Sequence, residues 1–534
     1  MMDKIYSLCR EGLVWMGEYL PVFDEKSCAF TGTEADFESQ EWTDHLSCFD
    51  FGNDKERKYE SITRCSSQEP DIDSLRHCAW ILRLLAEGRH YNQLPPFSIP
   101  EDEKYNDLVE PGMSWLRGLP WFKRLWTVQE AVLAPKVTVV MGHVSMPYDV
   151  LVKADANLSS QKIPGRLPGV TTSATMAAVL WFLKFWEPVQ DLRVDRAKGK
   201  TLPLLRLCIE FNEHMSTVDL DRVYSLLGLV SNSQGAVVPD YTATASQVFT
   251  QLTARYIVEE SSLLPLVFAP WRYKYPDIPS WAIDWTVTEK DHPSIRTSWA
   301  DVLPLFNACG DLPARPISIH ENVLSLSGVE VDTVSEVTSM VPFWGDIFHP
   351  PPDWRELILR LGEKTAYPSG GTWTDAFWRT LSMDCCWNSH AAKRATRRHI
   401  ESFATYSLYR HRDLVEWDNQ LDPPASTIYQ KYENDETTQD ILTSSVVFTR
   451  MRVIFATENG YLGIGNSDIA KGDRVFIFPT LQAPIVLRPK EEERQNARSC
   501  ASRYTVVSES YVHGLMDGEI SKHQDLAIKE VHIV

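Results

Sequence analysis

The sequence predicts an α+β fold: an α/β N-terminal unit, a mostly helical middle with some strands, and a small C-terminal β-barrel-like module. Three observations carry this. Residues 1–147 alternate helical spacing with short apolar runs, as an α/β unit does. Residues 148–260 and 352–440 repeat apolar groups at helical spacing. From Arg450 onward, five short strands fall within ~65 residues, a density that suggests a small barrel.

The elements follow in order. Met2, Ile5, Tyr6 and Cys9 share a helical stripe, and Leu13 to Met16 reads as a strand ending at Gly17. Residues 31–74 are polar and acidic with little periodicity, and read as an insertion. Leu75, Cys78, Ala79, Leu82 and Leu85 mark a helix over 75–90, and residues 92–112 read as a proline-containing loop. The segment from Gly118 to Pro135 is the sharpest in the chain. Pro120 suits a first helical position and Pro135 stops the helix. Phe122, Leu125, Trp126, Val132 and Leu133 form one face, with Gln129 on it and Glu130 at its edge. A strand, Val137 to Met141, follows and closes at Gly142.

Asp219 and Asp221 open another helix, where the dipole favours acids, and Val223, Leu226, Leu227 and Val230 form its stripe. Leu263 to Phe268, Trp281 to Trp285 and the alternating Val323 to Val331 read as strands. Gly370-Gly371 marks a loop, and Asp418 to Asp440 a linker. The C-terminal strands are Val453–Ala456, Tyr461–Ile464, Arg474–Phe478, Pro484–Leu487 and Tyr504–Val507. Gly463-Ile464-Gly465 reads as a β-turn. The boundaries set in this way are 1–147 with the insertion at 31–74, then helical 148–300. A β-rich segment at 301–345, a helical region with linker at 346–440, and the C-terminal β module at 441–534 complete the chain.

Composition narrows the function classes. The chain has 534 residues, 43% hydrophobic and 23% charged, which excludes wholesale disorder and fibrous repeats. A net charge of −19 argues against a nucleic-acid coat or an anionic-membrane binder. Ten cysteines with no CxxC pair point to a reducing, intracellular compartment. The most apolar stretch, Met176 to Trp186, is too short for the ~20 residues a membrane helix needs.

No phosphate cradle, dinucleotide-binding glycine pattern, zinc HExxH or serine elbow is present. The histidines are dispersed, so no metal and no cofactor are expected. The dense basic cluster Lys393-Arg394-Ala395-Thr396-Arg397-Arg398-His399 reads as a nuclear address or, more plainly, as a solvated helix face. Glu130 lies one turn beyond Trp126. A carboxylate held against apolar surface can serve as acid or base, and the plainer reading is the border of a buried face. His513 and Asp517 read as cleft residues or as a turn after the last strand.

These residues also resemble a family. Trp121, Phe122, Arg124, Trp126, Gln129 and Glu130 look like the "W-F-x-R-x-W-x-x-Q-E" segment of fungal heterokaryon-incompatibility (HET) domain proteins. Ile5-Tyr6 followed by Val14, Trp15, Met16, Gly17 and Glu18 looks like "I-Y … V-W-L-G-E". Asp221 to Tyr224 with Leu227 to Leu229, Pro239-Asp240-Tyr241, and Pro279 to Trp285 are similar to further segments. So are Gly460–Gly463, Gly472-Asp473, Pro484–Arg488 and Tyr511–Glu519 near the end. The family's opening segments, "Y-x-A-L-S-Y-x-W-G" and "L-W-I-D-x-L-C-I-N-Q", have no counterpart here.

The resemblance implies that 1–147 is a partial HET domain, a truncated α/β unit of TIR-like, flavodoxin-like type with an open sheet edge. It implies intracellular, cytoplasmic non-self recognition and programmed cell death signalling, including the case of a truncated inactive copy. The implied partner is another protein, an incompatibility partner or an oligomer, with no nucleic acid and no membrane span. Similarity to TIR domains raises an alternative: an NAD-cleaving hydrolase using Glu130 and Trp126, with the carboxylate stabilising an oxocarbenium-like centre. A second alternative is an accessory or regulatory protein of a fungal biosynthetic pathway.

Overall fold

The structure is a computed structural model. It describes residues 9, 12–15, 72–94, 112–113, 115–116, 119–141, 144–161, 179–180, 182–183, 186–230, 237–269, 275–287, 299, 301–341, 351–362, 366–387, 392–410, 435–490, 503–522 and 527–534. The expected N-terminal helix through Ile5 and Tyr6, the positions Met16, Gly17 and Glu18, nearly all of the polar insertion, most of the 92–112 loop and most of the Asp418–Asp440 linker lie outside them. The chain divides into two compact units, 1–239 and 240–534.

In the first unit, β1 (Gly12–Trp15) runs parallel to β2 (Val137–Met141), with Gly12 opposite Val137 and Trp15 opposite Val140. β3 (Val144–Pro147) returns antiparallel to β2. The helix α1 (Ile72–Ala86) buries Leu75, Cys78, Ala79, Leu82 and Leu85, the stripe that helical spacing predicts. It packs on α3 (Tyr148–Ser160), and Asn157 of α3 donates to the α1 carbonyl of Leu85 at 2.8 Å. Between them in sequence, a short helix Pro120–Lys123 leads into α2 (Trp126–Leu133). The α2 core residues are Val128, Ala131, Val132 and Leu133. The helices α4 (Glu187–Ala197) and α5 (Leu204–Glu210) complete the part described below.

The second unit is mixed, with a barrel at its C-terminal end. Its first helix, α6 (Ala245–Glu259), begins with a capping box in which Thr244 and Gln247 satisfy each other's backbone N–H. Two expected strands are something else. Leu263 to Phe268 holds a short helix, Pro265–Phe268, because Pro265 sits at its first turn, where a missing N–H costs nothing. Trp281 to Trp285 is a buried turn, where Ala282 N–H bonds back to Pro279 and Asp284 accepts from Thr286. Apolar density marks burial in both places, and burial alone does not choose a strand.

β4 (Ser318–His320) and β5 (Val323–Val337) form a hairpin, with β5 longer than its alternating pattern suggests. Helices α7 (Pro352–Gly362) and α8 (Trp373–Leu381) follow. They lead to a hairpin, β6 (Cys385–Trp387) and β7 (Ala392–Arg394), in the region read as helical, and then to α9 (Arg397–Arg410) and α10 (Glu436–Thr449). The remaining strands are β8 (Arg452–Thr457), β9 (Leu462–Asn466), β10 (Arg474–Ile477), β11 (Ile485–Pro489), β12 (Arg503–Val512) and β13 (Ile528–Ile533).

Pairing closes a ring: β5 to β8, β8 to β9, β9 to β12, β12 to β11, β11 to β10, and β10 back to β5. β13 joins the far halves of β12 and β5. The barrel therefore borrows β5 from well upstream of the C-terminal strands. Its interior is filled by Val329, Val331, Val334, Val453, Phe455, Val475, Ile477, Val486, Val507 and Val512. Small β-branched groups at alternate positions suit so narrow a ring. Gly463 and Gly465 lie in β9 rather than in a turn. They are there because a Cβ on Gly463 would come within 2.3 Å of the Phe455 ring, and one on Gly465 within 2.5 Å of Ile469.

Candidate functional site

The Trp121–Glu130 segment and the Asp221–Leu229 segment, separate in sequence, meet in the first unit. The Trp126 indole N–H donates to Asp221 Oδ2 at 3.1 Å, at the start of a short helix, Asp221–Tyr224. Gln129 is fully buried, and its amide donates to the Ser225 carbonyl. Arg222 spans to the carbonyls of Asn212 at 3.0 Å and His214 at 3.2 Å. The backbone beside Arg124 bonds to Met215, with Leu125 N–H donating to the Met215 carbonyl at 2.9 Å. Arg124 itself is exposed.

Glu130 is half-buried, and its Oε2 accepts the Trp121 indole N–H at 3.3 Å. Trp121 is in turn stacked on Trp186, with ring centroids 5.6 Å apart. Trp15 contributes its backbone to β1, and Gly17 lies outside the described residues. Trp126 and Glu130 thus each engage a different partner, on separate hydrogen bonds. A residue that sequence reasoning missed holds the other end of this helix. Arg193 of α4 donates to the carbonyls of Ala131 at 2.6 Å, Ala134 at 2.8 Å and Pro135 at 3.2 Å. A guanidinium there satisfies carbonyls at the α2 C-terminus and complements the helix dipole. No local pattern betrays it, because its partners lie some 60 positions upstream.

Gln129 is a buried amide serving another segment's backbone. Gln129→Ala is expected to lower stability by about 1–3 kcal/mol, the usual cost of stripping a buried carbonyl of its donor. Chemical denaturation of the full chain checks this; an unchanged midpoint would remove Gln129 from the joint.

In the second unit, the C-terminal motif residues are likewise structural partners. Arg488 donates to both oxygens of buried Asp473, at 2.8 and 2.9 Å, and Asp473 also caps the preceding turn through Ala470 N–H at 2.8 Å. Tyr511 Oη lies 3.0 Å from His513 Nδ1, and Tyr367 donates to the His513 carbonyl at 2.9 Å. Burial pushes the His513 imidazole down to about 4, so it is neutral at neutral pH. Asp517 accepts two bonds from Arg394, both at 2.8 Å. His513 and Asp517 sit in the loop after β12, as the plainer reading has it, but β13 follows that loop, so β12 is not the last strand; Asp517 is exposed.

The same contacts take in part of the basic cluster. Arg394 bonds Asp517 and Asp384, the latter at 2.7 Å, and its guanidinium lies 5.2 Å from the Phe306 ring centroid. Arg379 reaches Asp384 from the other side at 2.5 Å. Burial pushes the Asp384 carboxyl up, and the two guanidinium groups pull it back. Arg397 pairs with Glu401 at 2.7 Å and Arg398 with Asp435 at 3.3 Å. His399 and Thr396 cap α9 together. The cluster is more than a solvated face: Arg394 is a structural hub, while Arg397 and Arg398 form exposed pairs. Among the described residues, no group of three or more His, Cys, Asp or Glu could hold a metal ion. No helix among them is long and apolar enough to cross a membrane.

Residues 364–529 match the Het-6 beta-barrel domain family. Over 468 aligned residues the chain is 26% identical to heterokaryon incompatibility protein 6, OR allele, of Neurospora crassa. The chain is HET-like. The alignment covers 75% of the HET-like chain and 64% of that relative, so the chain spans a little under two thirds of the relative's length. No solved structure matches it. The family match takes in the α8–α9 hub and the strands β8 to β12, whereas β5, which closes the ring, lies upstream of it.

Proposed function

We propose that this HET-like chain acts in fungal non-self recognition, as a cytoplasmic protein that signals growth arrest and programmed cell death through contact with another protein. Its likeness to a heterokaryon incompatibility protein carries the reading. The barrel supports a role through surfaces, since its interior is filled with side chains and its motif residues hold the fold. Glu130 and Trp126 fit the same picture as anchors of α2, each engaged in a hydrogen bond to a group of the fold.

Expression in a fungal strain lacking its own copy, followed by fusion with strains of different incompatibility type, tests this. Arrest and dye uptake in fused cells from some pairings and not others is the expected result. Indifference to every pairing, from a chain shown to be folded, would sink it. Glu130→Gln keeps an acceptor oxygen for Trp121 and is expected to leave the response intact. Loss of the response in that variant, at unchanged abundance and together with loss of NAD cleavage, would instead favour hydrolase chemistry.

A further inference from the structure

The barrel closes where β12 meets β9, and that seam is short. It pairs Ser510 with Gly465, Tyr511 with Ile464 and Val512 with Gly463. On the β8 side, β9 is held by a tight turn, in which Gly460 N–H bonds the Thr457 carbonyl at 3.0 Å, so that register follows from the turn. On the β12 side no turn acts, because the partners are some 45 positions apart. Two of the three β9 residues are glycines, and a glycine-rich strand specifies register weakly.

Besides the backbone ladder, the Asn466 N–H of β9 donates to Ser508 Oγ of β12 at 2.8 Å, and one ion pair reaches across the seam. Arg452 of β8 stands opposite Asn466 of β9, and the β9–β12 register carried one residue further brings Glu509 beside the same Asn466. Arg452 Nη2 donates to Glu509 Oε1, and both side chains are wholly buried. Arg452 Nε and Nη1 have no partner among the described residues, and the guanidinium lies 5.7 Å from the Trp299 ring centroid. A half-satisfied buried ion pair is a poor source of stability, because desolvation offsets the attraction. It discriminates well, however. A two-residue slip of β12 along β9 moves Glu509 by about 7 Å and leaves two buried charges apart.

We propose that the Arg452–Glu509 pair is the register key of the barrel's closing seam, fixing which residues of β9 and β12 meet rather than adding to stability. The test replaces both with apolar groups of similar size, Arg452→Met with Glu509→Leu, in the full chain. The double variant is expected to melt no lower than the parent, while each single change lowers the melting point. Register is read with cysteine pairs. Ile464→Cys with Tyr511→Cys reports the native seam, and Ile464→Cys with His513→Cys reports the slipped one.

With the ion pair present, oxidation is expected to form the 464–511 link almost alone. Without it, the 464–513 link is expected to rise by about tenfold or more. A link confined to 464–511 in the double variant overturns the proposal. So does a double variant that melts below both singles, since the pair would then be a plain stabilising contact. Where the cysteine variants do not fold, amide exchange of 509–515 in the double variant decides. Exchange about tenfold faster than in β10 and β11 is expected, and unchanged protection overturns it.

Discussion

Gly463→Val is expected to stop the barrel from closing. The Cβ alone would lie 2.3 Å from Phe455 Cζ and 2.8 Å from both Cε atoms, and Phe455 is fully buried. Overpacking a filled core by one group costs about 1–3 kcal/mol, and valine adds two more methyl carbons to that clash. β9 cannot retreat, because it is bonded to β8 on one side and to β12 on the other. Thermal unfolding of the full chain should show the second unit's transition lost or moved far down. The cause can be checked by adding Phe455→Ala, which vacates the ring's space. Partial recovery in that double variant is expected, and a Gly463→Val chain with native melting would show that the two strands do not approach so closely.

Arg394→Met is expected to have the next largest effect. It removes both bonds to Asp517, one of two guanidinium partners of buried Asp384, and the contact with Phe306. Leaving one partner of a buried pair alone costs about 3–5 kcal/mol. Here about 2–3 kcal/mol is the better expectation, because Arg394 is itself 32% exposed and Arg379 still holds Asp384. The variant should also lose stability less steeply towards acid, because Asp384, pushed up by burial, is more readily protonated once one cation is gone. Denaturation midpoints at neutral and mildly acid pH, for parent and variant, measure both effects. Arg397→Met, which removes an exposed pair, is the control and should change stability by under about 1 kcal/mol.

Periodicity made the local elements legible. The stripe from Leu75 to Leu85 and the strand Val137–Met141 depend on neighbours in sequence, and the structure places them accordingly. The one helix expected between Pro120 and Pro135 is instead two, broken at Arg124, whose extended backbone bridges to Met215. What the sequence hides is which distant groups meet. Nothing near Arg394 in the chain distinguishes it from Arg397, yet one is a hub and the other a surface pair. Likewise β5 reads as an isolated alternating strand until β8, β10 and β13 are seen to use it. The Gly463-Ile464-Gly465 run misled for a related reason. Glycine marks a turn where the backbone must bend, and also a strand where a large neighbour needs the room of a missing side chain. For the Trp126–Glu130 helix, the motif located the residues, but only Asp221, Ser225 and Trp121 reveal how each is engaged.

The ring of strands has a consequence for how such a chain is dismantled. An open sheet can be peeled from its outermost strand, one ladder at a time. Each member of the ring β5–β8–β9–β12–β11–β10 is held on both sides, so a machine that threads a chain by pulling on one segment must tear two ladders at once to begin. The barrel should therefore be the piece that outlasts the rest when the protein is degraded.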